Sequence, residues 1–454
     1  MLTGSALLIV FLVAIIFVLV SIIKFKINPF LSLLLASLLT AFLVRMPTSK
    51  IPSTITSGFG NTLQGIGIVI GLGVILGQIL SEAGATEQIA NTLLRFVGEK
   101  NSPLAVNLTG YLVSIPVFFD AAFVILMSLI KQISRKTERS LITYVTALAV
   151  GLIVTHATVI PTPGPVAVAN NMNVNLGIFT LYAIIVSIPA ALIGGWLYGV
   201  YLGKKYDFDE KEVMEAISEI GKEKSTNSDK KPSGALSIFV LLLPIILILF
   251  GTVMSIVLPK ESIANVVFGF LGEKNIALLI GVIVAIITLK PYLKDSLENI
   301  IAKAAGSAGM ILLITGAGGS FGNMINSSGI GKYLVDILSH MNISIIVLAF
   351  ILSQVLRAAQ GSTTVALVTT SSILGPIVAQ LGASPVLVAL AICCGGIGLS
   401  LPNDSGFWVV NRFSNFDINK TIQSWTIGGT IAGVVGFIMV LILSLFSGVL
   451  PGLL

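Results

Sequence analysis

Leu401–Trp408 read LPNDSGFW. The apolar run Pro385–Leu401 leads into this octapeptide, and apolar residues resume within a few positions. Water accepts such a cluster of Pro, Asn, Asp, Ser and Gly as a turn. Hydrocarbon does not, because a polar backbone or side-chain group left unpaired there is costly. Composition decides which solvent surrounds it. The chain has 454 residues, of which 55% are hydrophobic and 10% charged, where a soluble domain carries about 25% charged residues. The runs Ala6–Ile23, Pro29–Val44, Ile178–Leu202, Leu236–Leu258 and Ile422–Leu445 approach the ~20 residues that cross a hydrocarbon core. They are continuous, whereas barrel strands alternate. The sequence therefore predicts an all-α polytopic membrane protein of the cell's inner membrane. In the first run Lys24 and Lys26 follow the apolar stretch, so it reads as a transmembrane helix and not as a cleaved signal.

Composition also excludes functions. The net charge of +6 is scattered over short loops, with no basic stripe for nucleic acid. Cys393 and Cys394 are the only cysteines and are adjacent; they cannot staple distant segments, and a metal site needs more ligands. No metal and no cofactor is expected. Ser, His and Asp are present, but neither H-E-x-x-H nor G-x-S-x-G occurs, which argues against an intramembrane protease.

One polar segment divides the chain. Gly203–Pro232 carries seven Lys and eight acidic residues, and Val213, Ile217 and Ile220 share a face of a short helix within it. The expected organisation is a first membrane repeat over 1–203, a cytoplasmic loop over 204–233 and a second repeat over 234–454. The two sides share a pattern: Gly71, Gly73, Gly77 and Gly84 match Gly316, Gly318, Gly322 and Gly329 at one offset, with Ile89 and Leu93 matching Leu334 and Leu338. Glycine and polar residues recur so often in these two segments that each reads as a re-entrant hairpin, a form tolerated where protein or a water-filled cavity surrounds it. Five crossings per half remain: 5–23, 28–44, 103–130, 140–160 and 177–202, then 235–258, 275–289, 343–370, 384–410 and 421–448. An odd number inverts the second repeat relative to the first. With the central loop inside, Arg45, Lys50, Arg95, Lys100, Lys260 and Lys274 fall outside, and basic residues favour the inside by about three to one.

Broken helices in an inverted repeat are the layout of a secondary transporter, and four polar breaks stand out. In SIPVFFDAAF (Ser114–Phe123) Asp120 sits in a helix one turn after Pro116; intramembrane acids usually face a pathway, although an Asp can also cap a helix end. In THATVIPTPGPVAVANN (Thr155–Asn171) three prolines halt the helix and His156 precedes them; the next half-helix would present free amides to an anion. In SQVLRAAQGSTTVALVTTSS (Ser353–Ser372) Arg357 lies far from both expected ends, followed by Gln360, Ser362, Thr363 and Thr364. It needs either an anionic solute or a permanent partner in Asp404 or Asp120. In the opening octapeptide Asn403, Asp404 and Ser405 supply oxygens beside Pro402 and Gly406. The sum is a midplane chamber for a hydroxylated carboxylate. Asp120 and Asp404 are the candidate proton carriers, and Na⁺ held by the same oxygens is the alternative. A passive anion channel is a third reading.

The stretches PVFFD (116–120), THATVIPTPGP (155–165), GAGGSFG (316–322), AAQGSTTVA (358–366) and NDSGFW (403–408) resemble the gluconate permease family, in the family's order and over nearly the whole chain. The family's usual double proline is replaced here by Ile160–Pro161. The resemblance implies a proton-coupled importer of a sugar acid in the ion-transporter superfamily. It implies a scaffold, a mobile transport domain that moves by an elevator or a rocking stroke, and a homodimer in lipid. Members of that family differ in cargo, D-serine included. The matching stretches add Phe119, Thr162 and Gly164 to the candidate substrate-binding residues.

Overall fold

A computed structural model describes residues 2, 4–206, 208, 231–259, 261–330, 333, 344–378, 381–402 and 404–453. Among these the chain is helical, with no strand, and eight helices are long and apolar enough to cross a membrane. The first pair, α1 (Ser5–Ile23) and α2 (Pro29–Leu43), keep Ile9, Leu12, Ile16 and Phe42 exposed, the side a bilayer covers. Pro29 starts α2 while the Asn28 side chain accepts from the Phe30 amide at 2.9 Å, a proline-first, Asn-capped start. At the centre, α7 (Leu141–Thr158) and α17 (Pro385–Gly395) are buried along nearly their whole length. Apart from Tyr144 and His156 their residues are small or branched, and none is Asp, Glu, Lys or Arg.

The glycine-rich segments differ from their expected form. Gly71, Gly73 and Gly77 lie inside α3 (Ile51–Glu82), one continuous helix of 32 residues. Gly316, Gly318 and Gly322 lie inside α14 (Leu297–Ser327), with 31. Each is about 47 Å long at 1.5 Å per residue, enough to cross. Glycine costs about 1 kcal/mol in a helix facing water, but in lipid the unwound alternative leaves backbone groups unpaired, so the helix persists. The turns fall instead at the fourth matched glycine, Gly84 at φ 69° and Gly329 at φ 81°, in the left-handed region that suits a residue without Cβ. Beyond Gly84 runs the amphipathic α4 (Ala85–Val97). Leu334 and Leu338, the proposed matches of Ile89 and Leu93, lie outside the described residues, as do Val213, Ile217 and Ile220 of the central segment.

The two long helices pack antiparallel. Near one end Ser320 Oγ donates to the Ile55 carbonyl at 2.9 Å and Asn323 Nδ2 to the Thr54 carbonyl at 2.8 Å. At the other end Lys303 and Glu82 pair at 3.1 Å. Lys231, at the close of the central polar segment, pairs with Glu87 of α4 at 2.8 Å. Arg139 Nη2 donates to the Lys100 carbonyl at 3.0 Å. Arg95 and Lys100 therefore lie at the same end as the central segment and Arg139, and the expectation that they face the opposite side is corrected.

The same contact corrects the crossing expected over 103–130. That stretch is two helices, α5 (Ser102–Val113) and α6 (Phe119–Thr137). They leave the Lys100 end and return to it, turning at residues 114–118. Pro116 lacks the amide a continuous helix needs, and the 12 residues of α5 span only about 18 Å.

The remaining elements of the first half are α8 (Pro163–Asn171), α9 (Leu176–Ala191) and α10 (Tyr198–Lys205), the last two joined through a π-helical turn at Leu192–Leu197. The second half begins with α11 (Gly234–Val257), the short exposed α12 (Ile263–Leu271) and α13 (Lys274–Leu289). After α14 come α15 (Ile345–Gln360) and α16 (Thr363–Val378), divided at Gly361, then α17 and α18 (Ser405–Ser414), divided over 396–404. The half ends with α19 (Ile418–Thr421), a second π-helical turn at Ile422–Ile427 and α20 (Gly428–Leu445).

Candidate functional site

All four polar breaks reach one cavity of about 210 Å³. Phe118, Phe119 and Asp120 enter from the start of α6, Gly361–Thr364 from the start of α16, and Asp404–Gly406 from the start of α18. Each of these helices thus begins at the cavity, and the free amides of a first turn favour negative charge there. The Thr155–Asn171 break contributes His156 from the last turn of α7, while Ile311 of α14 and Trp425 close the walls.

A charged pair anchors the cavity. Arg357 Nη2 meets Asp404 Oδ2 at 2.7 Å, with the side chains 1% and 7% exposed. Asp404 caps α18 by accepting from the Gly406 amide through Oδ1 at 3.0 Å. Its Oδ2 also accepts from the Ser400 hydroxyl, and Trp425 Nε1 donates to Ser400 Oγ at 2.5 Å. A buried pair returns its desolvation cost only when the remaining lone pairs are also bonded, and Asp404 meets that condition. Arg357 does not. Its Nε and Nη1 are buried with no hydrogen-bond partner among the described residues. Of the two partners the sequence offered Arg357, Asp404 takes it and Asp120 does not.

Asp120 is placed differently. It lies in the first turn of α6, exposed, and makes no hydrogen bond or ion pair among the described residues. His156 Nδ1 is buried and equally unpartnered there, with its ring edge-on to Phe118 at 6.3 Å. Phe119 stacks obliquely on Trp425 at 4.6 Å, forming an apolar wall.

The cavity therefore gathers Phe119, Asp120, His156 and Arg357 with Ser362, Thr363, Asp404 and Ser405. Thr162 and Gly164 do not line it. The Thr162 hydroxyl donates to the Val159 carbonyl, and a Cβ on Gly164 would sit 2.8 Å from Leu367 Cδ1, so both serve the packing of the Pro-Gly break. Nothing is described of the Gln360 side chain or of Asn403. The expected hairpin glycines serve close approach instead. A Cβ on Gly77 would overlap the Pro116 carbonyl oxygen, and one on Gly73 would lie 3.3 Å from Pro161. On α14, a Cβ on Gly318 would lie 2.7 Å from Ser372 Oγ, one on Gly322 2.7 Å from the Ser372 carbonyl oxygen, and one on Gly316 would overlap the Phe59 ring. Gly71 faces open space. Sequence reading missed Ser400 and Trp425. The polar run Gln423–Thr426 inside an apolar segment was the available signal.

A polytopic helical bundle whose interrupted helices start at a shared polar cavity is a membrane transport protein. The family model described as GntP family permease matches residues 6–446, and the chain belongs to that family; it is a permease and not an enzyme. It is 37% identical over 449 residues to an uncharacterized permease of Haemophilus influenzae, covering 96% of this chain and 92% of that one. It is 32% identical to the high-affinity gluconate transporter of Escherichia coli, covering 96% of this chain and 99% of the relative. It is 32% identical to the Gnt-II system L-idonate transporter of the same organism, covering 93% and 95%. Among solved structures, the YdaH transporter of Alcanivorax borkumensis aligns with TM-score 0.62 at 15% identity, over 92% of this chain and 99% of that one, a likeness of fold. The eight apolar helices and a relative described as an inner membrane permease, 34% identical, assign the chain to the inner membrane as a multi-pass protein.

Proposed function

We propose that this permease imports a sugar acid, gluconate or a close relative, by proton symport. The observation that carries the reading is Arg357. Arg357 lines the cavity with Nη2 committed to Asp404 and with Nε and Nη1 buried and unpartnered among the described residues, so the guanidinium keeps donor capacity for a carboxylate oxygen. The starts of α6, α16 and α18 add amides for the same anion, and Ser362, Thr363, Thr364 and Ser405 suit the solute's hydroxyls. Asp404 is occupied by three donors, so Asp120 is the better proton carrier of the two candidates.

The fold belongs to the same reading. The halves 1–203 and 234–454, joined by the cytoplasmic segment 204–233, are inverted repeats. In support, both run through a long glycine-bearing helix, a helix pair split at the cavity, a second split pair and a π-turned helix. The re-entrant hairpins are α5–α6 and α15–α16, and α3 and α14 replace them among five crossings per half. Among the described residues only Arg45, Lys50 and Lys274 then lie outside. Apart from Arg357 in its hairpin, every other described Lys and Arg falls inside, a stronger bias than the sequence alone suggested. The glycine contacts of α3 and α14 form a track for an elevator movement of the split helices. A homodimer in lipid completes the proposal, with particle mass in nanodiscs as its test.

The functional test is uptake of labelled gluconate into proteoliposomes under an inward pH gradient without Na⁺. Accumulation above equilibrium supports symport. Uptake that appears only with Na⁺ overturns the coupling, and downhill flux alone means a channel.

A further inference from the structure

A second cavity, of about 450 Å³, is lined by six asparagines, Asn61, Asn170, Asn171, Asn173, Asn323 and Asn326, and by no charged residue. Four elements far apart in sequence build it: α3, the end of α8 with the turn after it, α14 and α16. It lies toward the end of the molecule opposite the central polar segment, since Asn323 bonds to Thr54 and Ser57 at the start of α3, whereas Glu82 at the other end of α3 meets Lys303. Along α14 the first cavity touches Ile311 and this one Gly318 to Asn326, about 10–22 Å further on at 1.5 Å per residue.

Asn173, at φ 53°, suits the left-handed turn after α8, and Asn170 and Asn171 close that helix. Asn61, Asn323 and Asn326 lie within α3 and α14, where Asn is a weak helix former. Two of the six are partly committed to protein, Asn171 Nδ2 to the hydroxyls of Ser371 and Ser372 at 2.9 and 3.2 Å and Asn323 Nδ2 to the α3 start. The carboxamides of Asn61, Asn170, Asn173 and Asn326 make no hydrogen bond among the described residues. A carboxamide offers donors on one atom and an acceptor on the other. An ion satisfies only one of these, whereas a hydroxyl satisfies both.

We propose that this cavity is a second solute site, which binds the polyhydroxylated chain of the cargo on the outer side before its carboxylate reaches Arg357. The proposal extends the sugar-acid reading but needs no carboxylate, so a neutral hexitol should occupy it.

The test uses Asn326→Cys in the full chain in nanodiscs, with Asn61→Cys as a second reporter should the first disturb folding. Both positions are exposed, and the native Cys393 and Cys394 are fully buried and do not compete for label. The rate of maleimide labelling is read with D-sorbitol, D-gluconate or acetate at matched osmolarity. Sorbitol and gluconate, at concentrations well above their dissociation constants, should each slow labelling about tenfold by occupancy; acetate should not. Adding Asn170→Ala with Asn173→Ala should abolish the protection. Unchanged rates with both polyols, equal slowing by acetate, or protection that survives the double substitution overturns the proposal. Gluconate uptake by the unsubstituted protein separates the two readings. Protection without uptake leaves the second site standing and removes the sugar-acid cargo; uptake without protection does the reverse.

Discussion

Arg357 and Asp404, 47 positions apart, meet at 2.7 Å inside the bundle. Asp404→Ala strands a buried guanidinium, and removing one partner of such a pair costs about 3–5 kcal/mol. The double change Arg357→Met with Asp404→Leu should restore most of the melting temperature while uptake stays absent. A double variant no more stable than Asp404→Ala would show that the two charges do not depend on each other.

Arg357→Lys keeps the charge and loses the fork. Losing hydrogen bonds to a charged group costs about 1.5–3 kcal/mol, so gluconate affinity should fall roughly ten- to a hundredfold. Full uptake in both Arg357→Lys and Arg357→Ala would remove Arg357 from the site.

Asp120 is exposed and unpartnered among the described residues, so Asp120→Asn should leave the melting temperature nearly unchanged. Accumulation should be lost and solute exchange retained, because the carboxyl that exchanges a proton is gone while the binding groups remain. Asp404→Asn should lose both activities. Gradient-driven accumulation by Asp120→Asn ends its role as proton carrier.

The glycine track is testable by a paired substitution. Gly77→Val places a side chain where the Pro116 carbonyl stands, while Gly71→Ala meets nothing within 4 Å. Uptake should collapse in the first and stay near normal in the second. Equal activity would mean that the contact does not matter to transport.

Arg95 is exposed on α4, at the end where Lys231 meets Glu87. An Arg95→Cys chain should react with an impermeant thiol reagent in inside-out vesicles and resist it in intact cells. The reverse pattern would restore the topology expected from sequence alone.

The polar breaks were legible because lipid allows few excuses for Asp, Arg, His or Pro within an apolar run. Asp120, Arg357 and Asp404 could be read one at a time, and all three line the same cavity. The hairpins were misassigned because glycine reads alike whether it breaks a helix or lets another backbone approach. Only the atoms facing Gly73 and Gly77 distinguish the two. Thr162 also sits in a real break, but its hydroxyl turns back onto Val159, a direction the sequence does not encode.

By itself, the sequence determined the solvent, the helical class and the family, because hydrophobic run length and motif order are local properties of the chain. Tertiary structure decided which short helices turn back, which end Arg95 and Lys100 share, and that Asp404 rather than Asp120 holds Arg357. Those depend on contacts between residues tens to hundreds of positions apart, and no periodicity encodes them.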